Sequence, residues 1–371
     1  MSRLDELIKE LCPDGVEYKM ISDISNVSIG EFVKKDKQTE NGQYPVFNGG
    51  TSNTGFYDDF NRNENKIIIS ARGANAGFVN RVFTKFWSGN SCYTIDVTDK
   101  NINWTFVYYW LKNNERKLLG EQQTGSIPAV SKKQVCEFKL PVPPLEIQEE
   151  IVKILDKFTD YVTELQAELH LREIQYEELA YRLLIEDVSG EKYKLSEICD
   201  VVKGKTPIQK AVPGEYPLVV TKAERGSSDT YQFDAKAVCI PLISSRGHGV
   251  ASLNHVYYQE GKFALGNILC AVIPTALDIV SPKYLYYYFE CTKDYTLVPL
   301  MKGGANVAMT VADVANVKVT IPNIKAQNEV ITKLIALEEY VNEVLPAEIE
   351  LRQKQYEYYR DKLLSFKEIE L

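Results

Sequence analysis

Two arginines stand in matched surroundings. IIISARGANAG from Ile67 and LISSRGHG from Leu242 each lead a β-branched or apolar run into a turn of small residues, with Arg72 in one and Arg246 in the other. A glycine-rich turn lets backbone approach a phosphate closely, and an arginine there can hold phosphate or the edge of a guanine. More residues of this chemistry lie in polar stretches: Lys34, Lys35 and Lys37, then Asn75, Ser126 and Lys132 in the first half. Lys205, Lys222, His248, Lys302 and Asn306 follow in the second. Lysine and arginine on phosphate position a domain, whereas Arg, Asn, Gln and Ser on base edges choose sequence. A solvated surface charge is the competing reading for any single lysine among them.

Catalytic chemistry finds less support. N-P-P-[FY], D-P-P-Y and F-x-G-x-G, the signatures of amino-methyltransferases and of S-adenosylmethionine binding, are absent. Gly204-Lys205-Thr206 imitates the end of a P-loop, but Cys199 stands where its first glycine is required. Glu64, Glu115 and Glu137 each begin an E-x-K triplet without a convincing partner aspartate on a strand. His170, His248 and His255 are too few and too separated for a triad or a metal site. The seven cysteines contain no C-x-x-C pair, which fits buried thiols in a reducing cytoplasm better than zinc ligands.

The elements that must position these residues occur twice. PVPPLEIQEEIVKILDKF from Pro141 and TIPNIKAQNEVITKL from Thr320 align, with Gln148 on Gln327, Ile151 on Val330, Leu155 on Leu334 and Tyr161 on Tyr340. After a one-residue indel, Leu171, Arg172, Gln175 and Tyr176 fall on Leu351, Arg352, Gln355 and Tyr356. A repeat of this length is a duplication of the whole chain. Each copy reads as one long helix. Pro143 and Pro144 suit a first turn, and Glu146, Glu149 and Glu150 sit at the positive end of the dipole. Ile147, Ile151, Ile154, Phe158, Tyr161 and Leu165 are spaced as a coiled-coil seam, as are Val330, Leu334, Leu337, Val341 and Val344. About 40 residues at 1.5 Å each give a rod of roughly 60 Å. Pro346 is expected to kink or break the second rod. The globular halves echo each other too: GVEYK with GEKYK, GQYPVFN with GEYPLVV, FVYYWL with YLYYYF, and TGSIPAVSKKQV with GGANVAMTVADV. The chain thus divides into segments 1–143, 144–187, 188–321 and 322–371.

Charge follows the same division. The net charge of −8 resides in the helical segments, while residues 1–140 are near +1 and 188–319 near +2. Local basic clusters in near-neutral globules permit a polyanionic partner. No apolar run is long enough for a membrane span, and the charged start MSRLDELIKE predicts no signal peptide.

LCPDGVEYK, TGSIPAVSKKQVCEFKLPVPPLEIQEEIVKILDKF and the globule–helix duplication resemble the specificity (S) subunit of type I restriction-modification systems, over essentially the whole chain. The resemblance implies an α+β fold. Two similar globular target-recognition domains alternate with two long helices that pair as an antiparallel coiled coil. It implies double-stranded DNA as ligand, with each domain reading one part of a split, asymmetric target. Two methyltransferase (M) subunits are implied as partners, and restriction (R) subunits through them. The chain itself would hold no cofactor: S-adenosylmethionine belongs to the M subunits, and ATP and Mg to the R subunits. TELQAEL at Thr163 is similar to a four-residue repeat that varies in number in some members. Four helical residues add about 6 Å against about 3.4 Å per base pair, so one more copy would lengthen the spacer by one or two base pairs. A coiled-coil scaffold without DNA recognition is the alternative reading, and a self-sufficient modification enzyme is a remoter one.

Overall fold

The computed structural model describes residues 3–120, 127–246 and 248–369. Its contacts form two units, one of residues 1–165 with 348–371 and the other of residues 166–347. Each unit therefore takes a globule, the first half of the helix that follows it, and the second half of the other helix.

In the first unit the main sheet is antiparallel, in the order Ser25–Ile29, Cys92–Val97, Lys66–Ser70, Val79–Val82. The second unit repeats that order with Cys199–Lys203, Leu269–Pro274, Ala237–Pro241 and Tyr257–Gln259. The strand Lys66–Ser70 carries a continuous apolar run because both of its faces are covered. Ile67 and Ile69 face the core beneath the aromatic helix Trp104–Asn113, and Ile68 packs with Val82 and Phe86. Ala237–Pro241 divides likewise, Val238 and Ile240 to one core and Ala237 and Cys239 to another. A smaller sheet flanks each main one, built on Tyr44–Phe47 and on Tyr216–Val219. Next comes a short helix with a reciprocal capping box, Ser131 with Gln134 in one unit and Thr310 with Asp313 in the other.

A two-stranded ribbon leads each globule into its rod: Glu17–Met20 pairs with Lys139–Val142, and Glu191–Lys194 with Lys318–Ile321. Directly after it, a fully buried glutamine fixes the helix entry. Gln148 accepts from Asn103 N (2.9 Å) and donates to Asn101 O (3.2 Å) and Pro143 O (2.7 Å). Gln327 accepts from Ser281 N (2.8 Å) and donates to Ile279 O and Pro322 O (both 2.7 Å). The same three-way bond thus joins each rod to the start of its aromatic helix.

The first rod is Leu145–Tyr181 followed by a π turn, Arg182–Glu186; the second is Ile324–Glu339, a π turn at Tyr340–Val344, and Leu345–Leu363. They measure 42 and 40 residues. Helix continues through Pro346, contrary to the expected break. Proline lacks the N–H that would bond to Asn342, and the π turn just before it absorbs the mismatch. The extra residue also shifts the register. Val341, Leu345 and Ile349 are buried, and Val344 is 48% exposed, so Val344 does not belong to the seam.

The apolar stripe has two jobs. Ile147, Ile151 and Leu155 pack on Phe106 and Tyr109 of their own aromatic helix and on Leu364, just past the end of the second rod. Ile154 and Phe158 are only partly buried, Tyr161 is exposed and Leu165 is buried. In the second unit Leu334 is fully buried, while Val330 and Leu337 are half-buried. Steps of four dominate the inner face because the rod lies against its own globule as well as against the other rod.

Within each unit the rod halves run antiparallel. In the first, Phe158 stacks on Tyr359 with centroids 5.5 Å apart, while Ile151 and Leu155 share a core with Leu364. A polar clasp closes this pairing: Tyr161 donates to Glu348 (3.2 Å), and the Arg352 guanidinium lies 5.3 Å over the Tyr161 ring. The second unit repeats it with Tyr340, Glu168 (3.4 Å) and Arg172 (6.0 Å). The first unit also joins distant chain segments. Val16 N donates to Lys367 O (2.8 Å), Ile369 N donates to Val16 O (3.1 Å), and Leu4 packs with Leu364.

All seven cysteines are free. Burial pushes the thiols of Cys92 up to about 11 and of Cys199 and Cys270 up to about 12, and raises Cys239 as well. The thiolate is the reactive form, so iodoacetamide at about pH 8 is expected to leave these four unmodified in the folded chain and to label them after denaturation. Rapid native labelling of any of them would contradict their burial.

Candidate nucleic-acid interface

The Arg72 turn is held from three sides. Within it, Ala76 N donates to Gly73 O (3.0 Å), Gly77 N to Ser70 O (2.8 Å) and Phe78 N to Asn75 O (3.0 Å). Gly73 and Gly77 have φ of 89° and 82°, which only glycine adopts without strain. The stretch before the short helix runs alongside as a strand: Gly73 N donates to Pro128 O (2.9 Å) and Val130 N to Ala71 O (2.8 Å). On the other side Ser70 Oγ donates to Gly50 O (3.1 Å), and Ala71 N to Ser91 O (2.8 Å). The result is a rigid platform. Arg72 and Asn75 are exposed on it, and the Arg72 guanidinium has no partner among the described residues.

The second unit builds the same platform from different residues. Met309 N donates to Leu242 O (2.9 Å) and Ser244 N to Val307 O (2.9 Å), reproducing the first ladder; Lys302 and Ala308 exchange two further bonds (2.8 and 3.0 Å). Ser244 Oγ accepts from Arg246 N (3.2 Å) and Ser252 N (3.1 Å), closing a loop from which Arg246 and His248 project. His248 has a positive φ of 60°, and a Cβ on Gly249 would lie 2.8 Å from Gly304 O. The two glycine loops therefore touch, bringing Arg246 and His248 to the same platform as Lys302 and Asn306. Asp313, below them, is held below its usual range by hydrogen bonds from the Thr310 hydroxyl and amide, and then by the charge of Lys302.

Other candidates fall elsewhere. Lys34, Lys35 and Lys37 lie exposed on and beside a one-turn helix, Lys35–Lys37, which leads into the smaller sheet through the Thr39–Phe56 bridge. Its counterpart is Ile208–Lys210, where Lys205, Lys210, Tyr231 and Gln232 line a groove of about 530 Å³. Lys205 N donates to Gln232 Oε1 (2.9 Å), and Lys262 covers the Tyr231 ring at 5.0 Å. Lys132 opens the short helix, and Lys222 is exposed three residues beyond the strand Tyr216–Val219. Ser126 lies outside the described residues. Sequence reading missed Lys210, which the matched one-turn helix could have flagged, and Ile127, which carries no local polar signal.

Elsewhere many basic residues are neutralised. Lys66 pairs with Asp96 (2.7 Å), Arg81 with Asp156 (2.8 Å), Lys112 with Glu115 (2.7 Å) and Lys293 with Glu290 (2.8 Å). The ion pairs leave Arg72, Arg246, Lys132, Lys205 and Lys222 unmatched among the described residues. Such cations can donate hydrogen bonds to phosphate oxygens, and neighbouring amide and hydroxyl groups can reach base edges.

The family model described as type I restriction modification DNA specificity domain matches twice, at residues 13–174 and 188–351. The EcoR124I/EcoR124II specificity subunit of Escherichia coli is 31% identical, over 70% of this chain and 70% of its own. The Mycoplasma pneumoniae chain S.MpnORF507P, assigned as a type I specificity subunit, is 28% identical over 94% of this chain and 97% of its own. A crystal structure of the S subunit from M. genitalium superposes with a TM-score of 0.57 at 19% identity, covering 94% of this chain and 96% of that one. With one family match over each globule and most of the helix that follows it, the chain belongs to the type I restriction-modification DNA specificity family and carries its domain twice.

Proposed function

We propose that this chain reads DNA for a type I restriction-modification complex and does no chemistry itself. The observation that carries the proposal is the repeated platform. Each unit presents an exposed, unpaired arginine beside the same backbone ladder, although not at the same position: Arg72 lies in the ladder opposite Ala129, where the second unit has Ile243 opposite Ala308, and Arg246 stands in the loop just beyond. Arg72, Asn75 and Lys132 would serve one half of the target, and Arg246, His248, Lys302 and Asn306 the other. Because those sets differ, the two halves of the target differ, and the site is split and asymmetric. Modification, most simply of adenine, would come from two M subunits carrying S-adenosylmethionine. ATP and Mg would serve the R subunits bound through them.

Exposed apolar residues on the rods supply a docking surface for the M subunits. Leu171 and Leu351, at matched positions, are both exposed, with Ile174 and Tyr181 near the first and Tyr358 near the second. Leu171→Asp and Leu351→Asp are each expected to reduce the complex from two methyltransferases to one, as read by native mass spectrometry. Retention of two by both variants would move the docking surface off the rods.

Phosphate binding is tested by salt. The complex of this chain with its M subunits is expected to lose on the order of 10³-fold in DNA affinity between about 50 and 200 mM salt. Salt-independent behaviour would favour the scaffold reading.

A further inference from the structure

We propose that Ile127 and Asn306 are equivalent base-reading positions at which the two units select different bases. The inference rests on the DNA-reading function proposed above. Equivalence follows from the ladders. Pro128 O receives Gly73 N and Val130 N reaches Ala71 O; Val307 O receives Ser244 N and Met309 N reaches Leu242 O. Ile127 and Asn306 are the residues immediately before these ladders, each beside its arginine turn.

Their chemistry is opposite. Ile127 is 77% exposed, the most exposed large apolar side chain among the described residues. A branched hydrocarbon left in water at the end of the ladder gains nothing in the free chain. Against a base edge it can cover the 5-methyl group of thymine, where no hydrogen bond is needed. Asn306 is exposed at the same place and offers a donor and an acceptor together, the pair that matches N7 and N6 of adenine. Each residue precedes a ladder whose neighbouring turn carries an exposed arginine able to hold phosphate, so the platform would fix register while this position chooses the base. Ile127 thus favours thymine at one position of the first half-site, and Asn306 favours adenine at one position of the second.

The test is the base-resolved methylation motif in cells expressing the M subunit with the wild-type chain, Ile127→Asn, Ile127→Ala or Asn306→Leu. Both Ile127 variants are expected to change the preference at one base pair of one half-site, by on the order of tenfold to a hundredfold, while the other half-site stays intact. Asn306→Leu is expected to do the same in the opposite half. The retained half-site reports that each variant folds and assembles. An unchanged motif with both Ile127 variants overturns the proposal, as does relaxation of both halves or loss of all methylation with both. A wild-type chain that directs no split motif would instead remove the DNA-reading assignment itself, and this proposal with it.

Discussion

Gln148→Leu is expected to destabilise the first unit by about 2–4 kcal/mol, because it breaks one buried and two part-buried hydrogen bonds to backbone groups, and a fully buried group costs about 1–3 kcal/mol when unpaired. Those groups are Asn103 N–H, Asn101 C=O and Pro143 C=O, and the leucine that replaces the amide can satisfy none of them. Leucine has nearly the same size, so lost hydrogen bonds rather than a cavity would dominate the effect. Hydrogen exchange should register the loss in the helix Trp104–Asn113 and leave Pro282–Thr296 protected, since the latter is pinned by Gln327. Gln327→Leu should give the mirror result. A cost below about 1 kcal/mol, or equal loss in both helices, would contradict the assigned role.

Arg72→Ala is expected to weaken reading of one half-site by on the order of tenfold to a hundredfold and to reduce the salt slope of DNA binding by about one ion. Arg246→Ala should act on the other half-site alone. Neither side chain holds the fold, because both guanidiniums are exposed and unpartnered among the described residues, so folding should be retained in each variant. Competition with duplexes in which one half-site is randomised separates the two effects. Equal relaxation of both halves by Arg72→Ala would show that the turn does not belong to one reading surface.

Much of this organisation was legible because it was written twice. Gln148 and Gln327 fall at the same offset as Tyr161 and Tyr340, and Arg172 matches Arg352; the structure turns those matches into the helix-entry bond and the polar clasp. What the spacing could not show was partnership. Tyr161 meets Glu348 and Arg352, close to two hundred residues away, and Val16 meets Lys367; no local pattern encodes such pairs. Periodicity also misread the seam. The stripe answers to the globule as well as to the other rod, and the π turn before Pro346 moves Val344 to the surface. At the candidate interface the arginine turns stood out by composition. Ile127 did not, since only its exposure beside the ladder sets it apart from a core isoleucine.

The most direct measurement is the methylation pattern, read base by base, of DNA from cells that express the neighbouring methyltransferase with and without this chain. The account predicts a split, asymmetric motif with a fixed gap that disappears when the chain is omitted. A contiguous motif that persists without the chain, or no methylation with it, would contradict the account.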